Sequence, residues 1–110
     1  MELKPFKSAR IMNFINLVEY SNNGVISKRI IDKTTGNITL FSFDQGQRLS
    51  EHTAPFDAMV QVLEGESKVS ISKTAFNLIA GDSIIMPANV PHAIYATTRF
   101  KMLLTMIKGE

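Results

Sequence analysis

The reading of GQRLSEHTAPFDAMVQVLEG, residues 46–65, decides the fold. A turn glycine opens it and a short polar segment leads to His52. The chain then bends at Pro55, and residues 58–63 read as a strand that stops at the Glu64-Gly65 turn. Residues 81–96, GDSIIMPANVPHAIYA, echo that plan. The two stretches hold both histidines of the chain, His52 and His92, and whatever chemistry the protein performs is expected between those imidazoles.

Outward from these stretches the pattern is strand, turn, strand. Residues 15–20 read as a first strand, closed by the Ser21-Asn22-Asn23-Gly24 turn, in which Asn-Gly suits positive φ. Strands at 25–31 and 38–43 follow, and in the latter Ile38, Leu40 and Ser42 alternate with Thr39, Phe41 and Phe43. Past Gly65, further strands are expected at 67–72, 75–78, 83–86, 91–96 and 99–107. About ten short strands with turns between them make an all-β sandwich or barrel. The one helical expectation is a short turn at 9–14, capped by Ser8 and preceded by Pro5.

Composition narrows the class. A chain of 110 residues is expected to form one domain, large enough to bury about two thirds of the surface its unfolded form exposes. No run of about 18 apolar residues suggests a membrane span. MELKPFKSAR at the start carries charge with no apolar core behind it, so secretion is not expected and the cytoplasm is the default address. With no cysteine there is neither a disulfide nor a thiolate metal site. Twelve basic residues against ten acidic ones are scattered along the strands and turns, not gathered on one face, which argues against a nucleic-acid partner.

Residues 100–107, FKMLLTMI, are apolar at nearly every position. A strand apolar on both faces is usually buried on both. One face is the barrel core. A second copy of the protein is the simplest cover for the other, which predicts a homodimer; the N-terminal arm, residues 1–14, is the other possible cover.

With both stretches read, the chain resembles a small single-domain cupin, and the resemblance covers residues 38–107. That family carries two short motifs on a double-sheet jelly roll. In its first motif Gly46, His52 and Gly65 fall on their places; in its second, Gly81, Pro87 and His92 do. Asn89 stands where a glycine is usual, a mild change because Asn tolerates the left-handed backbone. Three usual polar residues are replaced: the second histidine by Ala54, the glutamate by Ala58 and the closing asparagine by Ala96.

The resemblance implies a divalent transition metal (zinc, iron, nickel or manganese) on His52 and His92, with Asp57, turned inward by a bulge, or Gln61 as helpers. A pocket for a small organic molecule is expected from Phe41, Phe43, Ala54, Phe56, Ala58, Met86, Tyr95, Met102 and Met106. Phe56 reads as a plug over it. Such cupins include dioxygenases, isomerases, cyclases and decarboxylation-type enzymes, so one functional reading is a metal-dependent barrel acting on a small molecule. The other is a non-catalytic sensor or binding module that has lost part of its metal shell, which the three alanines favour.

Overall fold

The computed structural model describes residues 6–109. Nine strands make it up: β1 (Val25–Lys33), β2 (Gly36–Phe43), β3 (Arg48–His52), β4 (Asp57–Glu64), β5 (Glu66–Ile71), β6 (Thr74–Ile79), β7 (Ser83–Met86), β8 (His92–Ala96) and β9 (Phe100–Ile107). They form two antiparallel sheets, a five-stranded one in the order β1-β2-β9-β4-β7 and a four-stranded one in the order β3-β8-β5-β6. Among the described residues no helix is long and apolar enough to cross a membrane.

Four short links, at residues 44–47, 65, 80–82 and 97–99, carry the chain from one sheet to the other. They set β2 against β3, β4 against β5, β6 against β7 and β8 against β9. All four lie at one end of the sandwich. The opposite end is closed by the β1–β2 and β5–β6 hairpins and by the crossings 53–56 and 87–91. The result is a jelly-roll barrel with a tight end and an end of longer loops.

Alternation puts Phe41 and Phe43 of β2, Ala58, Val60 and Val62 of β4, and Phe100, Met102 and Leu104 of β9 into the space between the sheets. Val69, Leu78 and Ile94 meet them from the smaller sheet. At the tight end Phe43 stacks on Phe100 with ring centroids 4.6 Å apart, and both rings are fully buried. Each contributes about 2–3 kcal/mol of burial free energy.

The N-terminal segment departs from the expected strand and helical turn. A single 3₁₀ turn, Phe14–Asn16, replaces the helical turn, and its cap is Asn13, whose side chain accepts the Ile15 N–H. Ala9 at φ 60° is incompatible with a helix starting there. Residues 15–20 do not pair as a strand because they run over the outer face of the large sheet, not along its edge. Side chains take the place of a ladder: Lys101 Nζ donates to Ile15 O at 2.6 Å, Lys28 Nζ to Leu17 O at 2.8 Å and Ser42 Oγ to Glu19 O at 2.6 Å. Val18 is buried, and Tyr20 donates its hydroxyl to Glu64 at 2.5 Å. Burial, followed by that bond to Glu64, pushes the Tyr20 phenol up from its ordinary value. Residues 15–20, which follow the 1–14 arm expected as a cover, lie over Leu40 and Ser42 on the outer face.

Gly46 and Gly65 separate two kinds of glycine requirement. Both have positive φ, 84° and 79°, but open space surrounds Gly46, whereas a Cβ on Gly65 stands 2.0 Å from the Arg99 carbonyl oxygen. Gly46→Ala is therefore expected to cost about 1–2 kcal/mol of backbone strain. Gly65→Ala, which adds a clash with backbone, is expected to cost more than 3 kcal/mol. Urea unfolding of the two variants checks the order; equal losses contradict the tight packing of the 97–99 link against Gly65.

Candidate functional site

The site is built where β3 and β8 pair. The ladder matches Leu49 with Ile94 and His52 with His92, so three steps along β3 answer two along β8. That extra residue is a bulge. Without it, alternation from the core residue Leu49 sends His52 outward; with it, His52 lands on the inner face beside His92. The two rings meet edge to face, centroids 4.4 Å apart at 66°. His92 is 5% exposed, while His52, on the edge strand of its sheet, is open to solvent.

Both imidazoles are oriented the same way. Nδ1 of His52 lies 2.8 Å from Ser50 O and Nδ1 of His92 lies 3.1 Å from Val90 O. A carbonyl only accepts, so each Nδ1 carries the proton, and in the neutral ring each Nε2 holds a free lone pair. Holding one ring nitrogen on a backbone carbonyl is also how proteins fix an imidazole for ligation or hydrogen bonding through the other.

The crossings frame this pair. Asn89 takes the left-handed conformation, φ 63°, and its N–H donates to Ala54 O at 2.7 Å, tying crossing 87–91 to crossing 53–56. Ala88 N–H donates to Asp57 Oδ1 at 2.8 Å. The hairpin end joins in through Ser72 N–H, which donates to Pro91 O at 2.8 Å.

The expected site residues fall into four places. Ala58, Met86 and Met106 share one row of the inner face at the loop end. Ala54 and Phe56 sit half-buried in crossing 53–56, with the Lys108 ammonium 5.6 Å from the Phe56 ring centre. Phe41 and Met102 lie deeper in the core, and Phe43 lies at the tight end, where it packs on Phe100 instead of lining a mouth. Tyr95 alternates with the buried Ile94 and Ala96, which turns it onto the outer face of the small sheet, 39% exposed. It leaves the pocket set.

Neither helper reaches the imidazoles. The register of β4 runs unbroken from Asp57 to Val62, so no bulge turns Asp57 inward; its carboxylate serves crossing 87–91. Gln61 alternates with the buried Val60 and Val62 and occupies the outer face. Among the described residues, no group of three or more His, Cys, Asp or Glu side chains is placed to hold a metal.

Two residues at this end were not anticipated. Read from Ile38, strand β2 conceals that Asn37 belongs to it, on the same face as Thr39, Phe41 and Phe43. Asn37 is 3% exposed and Thr39 4%, and both side-chain amide atoms of Asn37 and the Thr39 hydroxyl are buried without a hydrogen-bond partner. Burying such groups unpaired costs on the order of 1–3 kcal/mol each. Starting the strand at Gly36 exposes the signal: polar residues at two successive inward positions. A surface cleft of about 220 Å³ opens beside Asn37 and Met106, lined also by Ile31, Gly36, Ile38, Thr105 and Ile107, and a larger one of about 290 Å³ lies at Glu66, Ser67, Leu78 and Ile79.

Residues 39–108 match the model of the cupin domain. The chain belongs to the cupin family. A conserved protein of unknown function from Streptococcus pyogenes is 33% identical, with a TM-score of 0.91 over 96% of this chain and 93% of that one. A cupin superfamily protein from Desulfitobacterium hafniense is 30% identical, with a TM-score of 0.88 over 97% of this cupin and 98% of its relative. A cupin 2 conserved barrel domain protein from Leptotrichia buccalis is 40% identical, with a TM-score of 0.85; it is matched over 88% of this chain, which spans 47% of its length. No curated protein matches the sequence.

The hydrogen bonds of this cupin predict its tautomers. Long-range ¹H–¹⁵N correlation of the neutral rings is expected to show the proton on Nδ1 of both His52 and His92. A proton on Nε2 of either ring contradicts the carbonyl contacts.

Proposed function

We propose that this cupin binds a small organic molecule between its sheets at the loop end, fixed by Nε2 of His52 and of His92. One observation carries the reading: two adjacent imidazoles, both held through Nδ1 by backbone carbonyls, which leaves both Nε2 lone pairs for a ligand. The surroundings suit a small molecule, since Ala58, Met86 and Met106 offer apolar wall where a polar ligand set is absent. No reaction is assigned.

A divalent transition metal on the same two Nε2 atoms is a second reading. Cupins commonly hold one, and the fixed tautomers favour it. The protein's own donor set falls short, because catalytic zinc sites take three protein ligands and two imidazoles stand here alone among the described residues. The residues fit a metal only together with donors from the bound molecule and water.

Thermal unfolding against a panel of small organic molecules, alone and with zinc, iron, nickel or manganese, tests both readings, with His52→Ala and His92→Ala as controls. A binder at about 100 times its Kd contributes about 2.7 kcal/mol, a rise in Tm of roughly 10 °C. That rise is expected in the native protein and lost in both variants. Near-stoichiometric metal in the native protein, absent from both variants, selects the metal reading. If the variants change stability alone and nothing stabilises the native protein, the barrel is purely structural and the proposal fails.

The proposal includes a homodimer. Ile31, Ile38, Thr105, Met59 and Ile85 form an uncharged row across the outer face of all five strands, beyond the reach of residues 15–20, and Ile31 and Ile85 are 48% and 62% exposed. An uncharged sheet face is matched best by another like it, and a two-fold contact presents the same patch from both copies. Light scattering on a sizing column is expected to give twice the chain mass, and Ile85→Glu to give one chain mass; a native monomer overturns it.

A further inference from the structure

The unpaired Asn37 amide lies at the same end of the barrel as the histidine pair, on the facing sheet. β2 passes through the 44–47 link into β3, so the two strands lie opposite each other, with Asn37 and His52 both at the end remote from that link. Facing sheets pack on the order of 10 Å apart. In the large sheet, Asn37 continues the row of Met106, Ala58 and Met86, and Thr39 stands one row deeper. A carboxamide and a hydroxyl, on residues more than nine-tenths buried and without a partner, thus stand on the inner face of one sheet at the end where the other sheet carries the two histidines.

We infer that Asn37, backed by Thr39, is the specificity-determining residue of the ligand site, and that it reads a neutral hydroxy-carbonyl or amide group on the molecule held by the histidines. This rests on the proposed binding at His52 and His92. The carboxamide presents a donor and an acceptor side by side, which matches a group offering an acceptor and a donor side by side. A carboxylate fits poorly, because its second oxygen meets Asn37 Oδ1. Arg29 and Asp32, which stand opposite Thr39 and Asn37 on the edge strand β1, are exposed and paired with each other at 3.0 Å, and the Lys108 ammonium lies over the Phe56 ring. A buried amide retained without a partner in a core of Met, Val and Phe lowers stability, which is the usual mark of a residue kept for binding.

Two probes of one skeleton test this: glycolamide, which is neutral, and glycolate, which is charged. Titrated into the ¹⁵N-labelled full chain, glycolamide is expected to move the Asn37 side-chain NH₂ and both imidazole Nε2 signals along one saturable curve, with affinity on the order of millimolar for so small a molecule. Glycolate is expected to bind at least tenfold more weakly. Asn37→Leu is expected to raise Tm by roughly 3 °C or more, by removing unpaired buried groups, and to weaken glycolamide at least tenfold. Thr39→Val, which changes almost no volume, is expected to raise Tm and weaken glycolamide about threefold, and it decides the matter if Asn37→Leu does not fold.

Binding lost in His52→Ala but unchanged in Asn37→Leu overturns this inference and leaves the histidine reading standing. A lower Tm with unchanged affinity in Asn37→Leu makes the amide structural. Glycolate binding as tightly as glycolamide overturns the ligand class, and no saturable shift with either probe overturns the inference together with the reading beneath it.

Discussion

The hydrogen bond from the Asn89 amide to the Ala54 carbonyl holds the loop end of the barrel together. Each of the two crossings it joins carries a histidine at one of its ends: His52 enters crossing 53–56 and His92 leaves crossing 87–91. The bond requires Asn89 in the left-handed conformation, where asparagine is among the few non-glycine residues at ease. Asp57 supports it from the neighbouring position by accepting the Ala88 N–H. A carboxylate in that role is a structural clamp, which explains why an acidic residue beside the family's glutamate position contributes nothing to the imidazoles.

The barrel is unevenly built along its axis. Its tight end is packed by the Phe43–Phe100 stack, with Gly65 pressed against the 97–99 link so closely that no side chain fits. Its loop end has methyl groups, thioethers and an unpaired amide and hydroxyl on one wall and two imidazoles on the other. Close packing at one end supplies stability that offsets unpaired polar groups at the other. The outer face of the large sheet divides in the same manner: residues 15–20 cover the part near Leu40 and Ser42, anchored by buried Lys101, while Ile31 and Ile85, at the two ends of the next row, are exposed.

Much of this could be read from the chain. Turn residues at close spacing, with period-two alternation between them, fix an all-β domain, and the Gly46–His52–Gly65 and Gly81–Pro87–His92 spacings point to the cupin barrel whose domain model the chain matches. What the sequence could not supply is side-chain direction wherever alternation breaks or a boundary is misjudged. The bulge in β3 has no residue signature, yet it alone turns His52 inward. Strand β2 begins two residues earlier than its apolar pattern, so Asn37 passes for a turn residue. Tyr95 reads as pocket lining until its neighbours Ile94 and Ala96 claim the inner face.

The sequence by itself determined the strand set, the two histidine-bearing motifs and the loss of the other polar ligands, because these depend on local composition and spacing. Tertiary structure decided which residues share a space. Residues 15–20 have the composition of a strand but lie across the sheet, because Lys28, Ser42 and Lys101 satisfy their carbonyls from below. Asn37 and His52, fifteen positions apart, come to opposite sheets at one end of the barrel only when the 44–47 link folds one sheet over the other. Spacing along a chain fixes the face of a residue within its own strand; what stands across from it is set by how the sheets close.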